Sequence, residues 1–354
     1  MSDFRIDKIT NRDGTSGTKI AGITTFSGTS GMQLPVGPTD YRGGRGRGIW
    51  VGGVPGAGGS TTNTIEMIEI ATTGNAIDFG DAAFGAGHSA AFGTYTKGII
   101  CGGGVPSPTN SSFSGIQSVV FSTTGGAFNF GDLSTATTGA SGFSNSVKGF
   151  VVGRGGFLDS QFQSPWVAKG TDIRIITVSS DGAHDGYFGD MVKRGITTRG
   201  TCASPTRGIM AGGDWDPNDY TDEMDYINLA SEGNAIEFGK LTVSRGELAG
   251  FGSSTRGIFA GGMDPRKDTI DYVTIATTGD AIDFGDLVDG FSYLRGCSSQ
   301  TRGVTAGGSS PQGNTNTIQY VTIATLGNSL DFGDLINSLR GAAGSCSDVH
   351  GGLE

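Results

Sequence analysis

The sequence predicts an all-β fold: six four-stranded sheets set radially as the blades of a β-propeller, preceded by a short extended, strand-like arm. Three observations predict it. A basic residue, a glycine, an apolar triplet and a glycine pair recur in order from Arg47, Lys97, Lys148, Arg207, Arg256 and Arg302, the pair being broken only at Gly153-Arg154. A second phrase, Phe-Gly usually followed by Asp, keeps step with the first at Phe79, Phe130, Phe188, Phe238, Phe284 and Phe332. Finally, the last stretch, "AGSCSDVHGG" from Ala343, aligns without gaps to "AGFGSSTRGI" from Ala249, so the chain closes on a first strand that no later unit uses.

The Phe-Gly marker repeats every 46 to 58 residues, close to the ~50-residue period of one propeller repeat, and a copy of that size cannot bury its apolar faces alone. Each unit offers four short strands. In the best-preserved copy these are "RGELAGFGS" from Arg245, "RGIFAGG" from Arg256, "TIDYVTIAT" from Thr269 and "AIDFGDL" from Ala281. The third carries Ile270 and Tyr272 on one face and Val273 and Ile275 on the other, the pattern of a strand covered on both sides. Gly74-Asn75, Gly125-Gly126, Gly233-Asn234, Gly279-Asp280 and Gly327-Asn328 follow the third strand, and such pairs read as two-residue hairpin turns. The unit opening at Arg47 lacks a first strand, and the orphan last strand supplies it if the array closes into a ring, which also removes the open sheet edges a linear solenoid would keep.

Composition agrees. Glycine is abundant at 65 residues and proline scarce at 10, so the glycines punctuate strands rather than mark a disordered tract. A net charge of −10 repels phosphate backbones and argues against a nucleic-acid partner. The charged opening "MSDFRIDKITNRDG" is no signal peptide, and no apolar run is long enough to insert into a membrane. Cys101, Cys202, Cys297 and Cys346 fall about one per repeat without metal-site spacing and read as small buried apolar side chains. The expected organisation is an arm over residues 1–43 and a propeller over 44–354. "FRIDKIT" and "TKIAGITTF" in the arm read as short strands with open edges, suited to pairing with a second chain.

Arg245 opening a first strand, Gly261-Gly262 ending a second, Tyr272 in a third and the aromatic Phe284 together resemble the kelch family, which usually carries Trp where Phe284 stands. The wording "RGIFAGG…TIDYVTIATTGDAIDFGDL", with the arm "FRIDKITNRDGTSGTKIAGITTFSGTSGMQLPVGPTDYRGGRGRG", resembles virion structural proteins of marine tailed phages of the cyanophage type. That resemblance implies a non-enzymatic particle component of the tail, baseplate, fibre or exterior surface. Its arm would dock on other virion proteins and its loops would meet neighbours or a host-surface glycan or receptor. The alternative is a glycan-binding or glycan-cleaving propeller; "SSDGAHDG" from Ser179 is faintly similar to the aspartate box of sialidases but occurs once and lacks the Trp.

No cofactor and no catalytic residue is expected. Asp78, Asp283 and Asp331 share one repeat position, so their number follows from the repeat. The repeated basic residues and the aspartates Asp81, Asp132, Asp190, Asp286 and Asp334 are expected to pair within or between blades. "DWDPNDYTDEMD" places Asp214, Asp216, Asn218 and Asp222 at calcium-loop spacing, but its sixth position is Asp219 where that loop needs glycine, so it reads as an acidic surface loop with no metal. Specific contact is therefore assigned to the irregular loops between second and third strands, where Phe157, Phe162 and Trp166 of blade three and Trp215 and Tyr220 of blade four are the candidate binding residues.

Overall fold

The computed structural model describes residues 26–27, 31–32, 46–55, 61–105, 111–153, 171–179, 183–193, 198–216, 219–263, 265–339 and 344–353. The chain divides into two compact units, 1–42 and 43–354. In the first, Phe26–Ser27 pairs antiparallel with Gly31–Met32; the expected strand "FRIDKIT" lies outside the described residues.

The second unit is a six-bladed β-propeller. Blade five shows the plan, with Ala249–Gly252, Arg256–Ala260, Lys267–Thr274 and Ile282–Phe291 hydrogen-bonded in sequence order from the channel outward. Blade one has the same plan built from both ends of the chain: Gly344–Ser347 is its inner strand, followed by Arg47–Gly53, Thr62–Glu69 and Ile77–Asp81. The pairing runs Gly48↔Ser347 to Val51↔Gly344. In other blades the turn from inner to second strand is held by a side-chain oxygen, as when Ser253 Oγ accepts from Thr255 and Arg256 N–H. At the closure there is no covalent turn, and Asp348 Oδ1 takes that place by accepting from Gly46 and Arg47 N–H at 3.0 and 2.8 Å.

The apolar core is six clusters, one at each junction between successive blades. Phe251, Ile258, Ile270 and Phe284 of blade five, for example, pack with Val321 and Ile323 of blade six. This is why the third strand is apolar on both faces: Ile270 and Tyr272 meet blade six, while Val273 and Ile275 meet blade four.

The Gly-Asn and Gly-Asp pairs do not form two-residue hairpins. Seven residues separate third and outer strands in each blade that carries such a pair, and each pair reaches the outer strand of the preceding blade. Gly327 and Ser329 N–H donate to the Phe284 and Asp286 carbonyls at 2.9 and 2.8 Å, while Asn328 Oδ1 accepts from Asp286 N–H at 3.0 Å. Gly74, Asn75 and Ala76 do the same to Phe332 and Asp334 across the closure. The Gly of Phe-Gly-Asp is required by this contact: Gly285 has φ +145° at a bulge, and a Cβ there would lie 2.6 Å from the Gly327 carbonyl. Blade three reaches blade two differently, through Ala183–His184 pairing parallel with Gly131 and Asp132.

A second junction contact was not foreseen. At one third-strand position each blade carries a polar side chain between apolar layers: Glu66, Gln117, Arg174, Asp225, Asp271 or Gln319. Four of these accept a backbone N–H from just beyond the Phe-Gly-Asp bulge of the preceding blade: Glu66 from Ile336, Gln117 from Ala83, Asp271 from Thr242 and Gln319 from Val288, at 2.6 to 3.1 Å. In blade three Arg174 lies 3.5 Å from Asp185, which accepts from Ser134 N–H. In blades four and five the aspartate also neutralises a buried arginine, Arg199–Asp225 at 2.6 Å and Arg245–Asp271 at 3.1 Å.

Among the described residues the repeated arginines do not pair with the Phe-Gly-Asp aspartates, and Arg47 pairs with Glu69 of its own blade at 3.4 Å. Arg302 pairs with Thr322 and Asp334 with Thr317, so the two ends of the third strand, about 17 Å apart, separate them. Instead the Arg207, Arg256 and Arg302 guanidinium groups lie 4.4 to 4.7 Å from the Tyr226, Tyr272 and Tyr320 ring centres, and each donates to a carbonyl of the next blade, Arg302 to Ile70 at 2.9 Å.

Two outcomes follow for stability. Deleting the residues after Arg340 removes the inner strand of blade one and exposes the edge of Arg47–Gly53, so the truncated chain should lose cooperative thermal unfolding or melt far below the full chain. Asp271→Ala leaves the Arg245 charge buried without a counter-ion and should cost about 3–5 kcal/mol in urea unfolding, most of it recovered when Arg245→Met is added.

Candidate functional site

The two faces of the ring differ. One carries the connections between blades and the irregular loops between second and third strands, which meet through the bridges Gly87↔Gly104, Gly246↔Met263 and Ser292↔Ser309. The other carries the tight turns from inner to second strand.

On the loop-bearing face one backbone pattern recurs beside the channel in blades two to six. Two residues before each inner strand the backbone takes a left-handed turn, at His88, Gly139, Thr198, Glu247 and Tyr293, with φ between 54° and 69°; the equivalent residue of blade one, 342, lies outside the described residues. These residues are joined head to tail: Gly139 N–H donates to the His88 carbonyl, Thr198 to Gly139, Glu247 to Thr198 and Tyr293 to Glu247, at 2.8 to 3.1 Å. The His88 and Tyr293 rings meet edge to face at 5.8 Å. Below this belt the channel is polar and narrow, lined by Ser141, Arg199, Thr201, Arg295 and Ser345 around a space of about 50 Å³. Arg295 is half-buried although it lies deep in the ring, because the surface it shows faces the channel. Burial pushes its pKa down, with the Glu247 carboxylate opposing.

At the other end the channel is apolar, with Phe92, Phe143, Phe251 and Cys346 among its lining residues around about 60 Å³, and it is stoppered. His350 aligns with Arg256, but instead of opening a second strand the chain turns under the channel in a 3₁₀ turn, Gly351–Leu353, whose residues are all buried. Glycine is needed here, since a Cβ on Gly351 would lie 2.8 Å from the Ala203 carbonyl oxygen as well as against Ser253. His350 Nε2 lies 2.9 Å from the Gly93 carbonyl and Nδ1 accepts from Gly352 N–H at 3.2 Å, which fixes the neutral Nε2–H tautomer. Burial pushes its pKa down to about 4 against the opposing pull of the Gly93 carbonyl.

The sequence-assigned binding residues are placed as follows. Phe157, Phe162 and Trp166 lie outside the described residues. Trp215 is in the short strand Asp214–Asp216, which pairs with Asp219–Tyr220. Tyr220 is half-buried, its ring within 2.7 Å of where a Cβ on Gly246 would stand and its carbonyl accepting from Ser244 Oγ. Tyr220 therefore packs beside the connection into blade five, near the belt. Of the calcium-spaced residues, Asn218 lies outside the described residues, Asp214 and Asp216 belong to that two-stranded hairpin, and Asp222 pairs with Lys240 at 3.1 Å. Among the described residues no three His, Cys, Asp or Glu side chains are grouped to hold a metal ion. The four cysteines are all free and buried.

The belt went unread in the sequence because no residue type repeats there: His, Gly, Thr, Glu and Tyr share a backbone conformation and nothing else. The only available signal was position, two residues ahead of each inner strand. Compared with protein-family models and with curated proteins, the chain matches none.

His350 makes stability depend on pH. Its folded pKa is depressed below the ordinary value of 6.5, so its contribution is fully present above pH 6.5 and is lost as pH falls to about 4, by about 3 kcal/mol. His350→Gln should flatten urea-unfolding stability across that window.

Proposed function

We propose that the protein is a non-enzymatic virion structural component of the tailed-phage kind its wording resembles, with residues 1–43 docking on the particle and the loop-bearing face of the propeller meeting a neighbouring virion protein or the host surface. One observation carries this reading: the repeated side chains are spent on the blade junctions, while the irregular segments all open on one face. Arg207, Arg256 and Arg302 are stacked on tyrosines and bonded to the next blade, and the Phe-Gly-Asp backbone is bonded to the next blade's Gly-Asn pair. What is left to vary is the set of loops between second and third strands, and variable loops on a rigid ring suit recognition.

Two variants test it in assembled particles. A chain lacking residues 1–40 should fold with the melting temperature of the full protein and be missing from particles; normal incorporation would overturn the docking role. Trp166→Ala with Trp215→Ala should leave folding unchanged and weaken retention on the particle or host surface by about 2–4 kcal/mol; unaltered retention would remove these loops from the interface.

A further inference from the structure

Single exposed apolar side chains are ordinary on a protein surface, but in this ring they recur at one position. Ile77, Phe128, Ile236, Ile282 and Leu330 open the outer strands of five blades and are 54 to 65% exposed. None of them belongs to an apolar cluster between blades. Blade three carries Gly186 at that place, so the sheet needs no side chain there. Acid surrounds the apolar groups. On the arc of blades five, six and one, Asp283 and Asp286, Asp331 and Asp334, and Asp78 and Asp81 lie one and four residues beyond the apolar side chain. All six are exposed, and among the described residues none has a basic partner. The outer rim is therefore an apolar and anionic surface repeated around the ring.

We propose that this rim is a docking belt for the arm of a neighbouring copy, residues 4–25 of one chain packing on the outer strands of another. The inference rests on the reading of residues 1–43 as a docking arm and names its partner. Charge favours it: of the net −10, residues 1–43 hold +1 and residues 44–354 hold −11. Within 4–25 the bases Arg5, Lys8, Arg12 and Lys19 face only two acids, Asp7 and Asp13, and Phe4, Ile6 and Ile9 lie among them. The segment thus carries the two complements of the rim, apolar groups for Ile282 and Leu330 and cations for the flanking aspartates. Its point of departure is also suitable. The chain leaves the ring at Gly46 on the turn-bearing face, and the rim residues stand at that end of their sheets, Ile282 opposite Tyr272 with Arg256 stacked on the Tyr272 ring. The main chain at the Phe-Gly-Asp bulge is already bonded to the following blade, so the contact is made by side chains. One arm per chain cannot fill five equivalent places, so filling the rim takes the arms of other copies, and a head-to-tail contact of this kind builds arrays.

Sedimentation of the full chain at rising concentration tests it, in about 50 mM and about 500 mM salt. The weight-average mass should climb above that of one chain at low salt and fall back at high salt. Ile282→Ser with Leu330→Ser should weaken this association about tenfold or more with no change in melting temperature, since both side chains are exposed. Two charge-reversed chains separate contact between copies from any other cause: Arg5→Glu with Lys8→Glu on the arm, and Asp283→Lys with Asp331→Lys on the rim. Each alone should associate poorly, and the two mixed should associate again, because the reversed arm of one fits the reversed rim of the other. A full chain that stays single throughout, variants that associate like the parent, or a mixture no larger than its components would each overturn the proposal. Loss of the arm-reversed chain from particles without loss of self-association would overturn it too, while leaving the docking of the arm on the particle in place.

Discussion

Everything in this ring depends on how one blade hands its outer edge to the next. A four-stranded sheet has an unpaired outer strand, and six of them would present six templates for aggregation. Here the bulge at Phe-Gly-Asp turns two carbonyls and one N–H outward, and at four of the six junctions the following blade's Gly-Asn or Gly-Asp segment takes all three. The contact is backbone to backbone at close range, which is why two glycines face each other across it.

The buried third-strand acceptors do a different job. Glu66, Gln117, Asp271 and Gln319 sit between apolar layers where an unbonded polar group would cost about 1–3 kcal/mol, and each is matched to an N–H that would otherwise be equally stranded. The bonds are directional and the apolar clusters are not, so the acceptors fix the angular register of neighbouring blades that grease alone would let slide. Glu66 shows the strength of the constraint: burial holds its carboxyl above the usual range although Asn337 and Ile336 donate to it.

The architecture was legible because it rests on repetition. Arg256, Phe284 and Gly261-Gly262 recur with their neighbours, and the orphan strand after Ala343 announced the closure. What was illegible rests on equivalence without identity. Glutamate, glutamine and aspartate share one acceptor role at positions 66, 117 and 271, and His88, Thr198, Glu247 and Tyr293 share one φ. The hairpin reading of Gly327-Asn328 failed for a related reason. A glycine pair reports positive φ, not which strand the turn will touch. The binding residues chosen from the sequence were aromatic and loop-borne, whereas the polar belt around the channel announces itself only in backbone geometry.

The joining of Arg47 to Asp348 also sets a timetable for synthesis. Their hydrogen bond spans 301 positions of chain, and a ribosome adding about 5–20 residues per second needs roughly 15–60 s to cross that distance. Throughout that interval the second strand of blade one has emerged and has no inner neighbour, while blades two to five are free to stack in order behind it. The nascent chain therefore carries one adhesive edge throughout that interval, and in a crowded cell making many copies at once the danger is greatest between neighbouring ribosomes on one message, where two such edges can meet before either ring has closed.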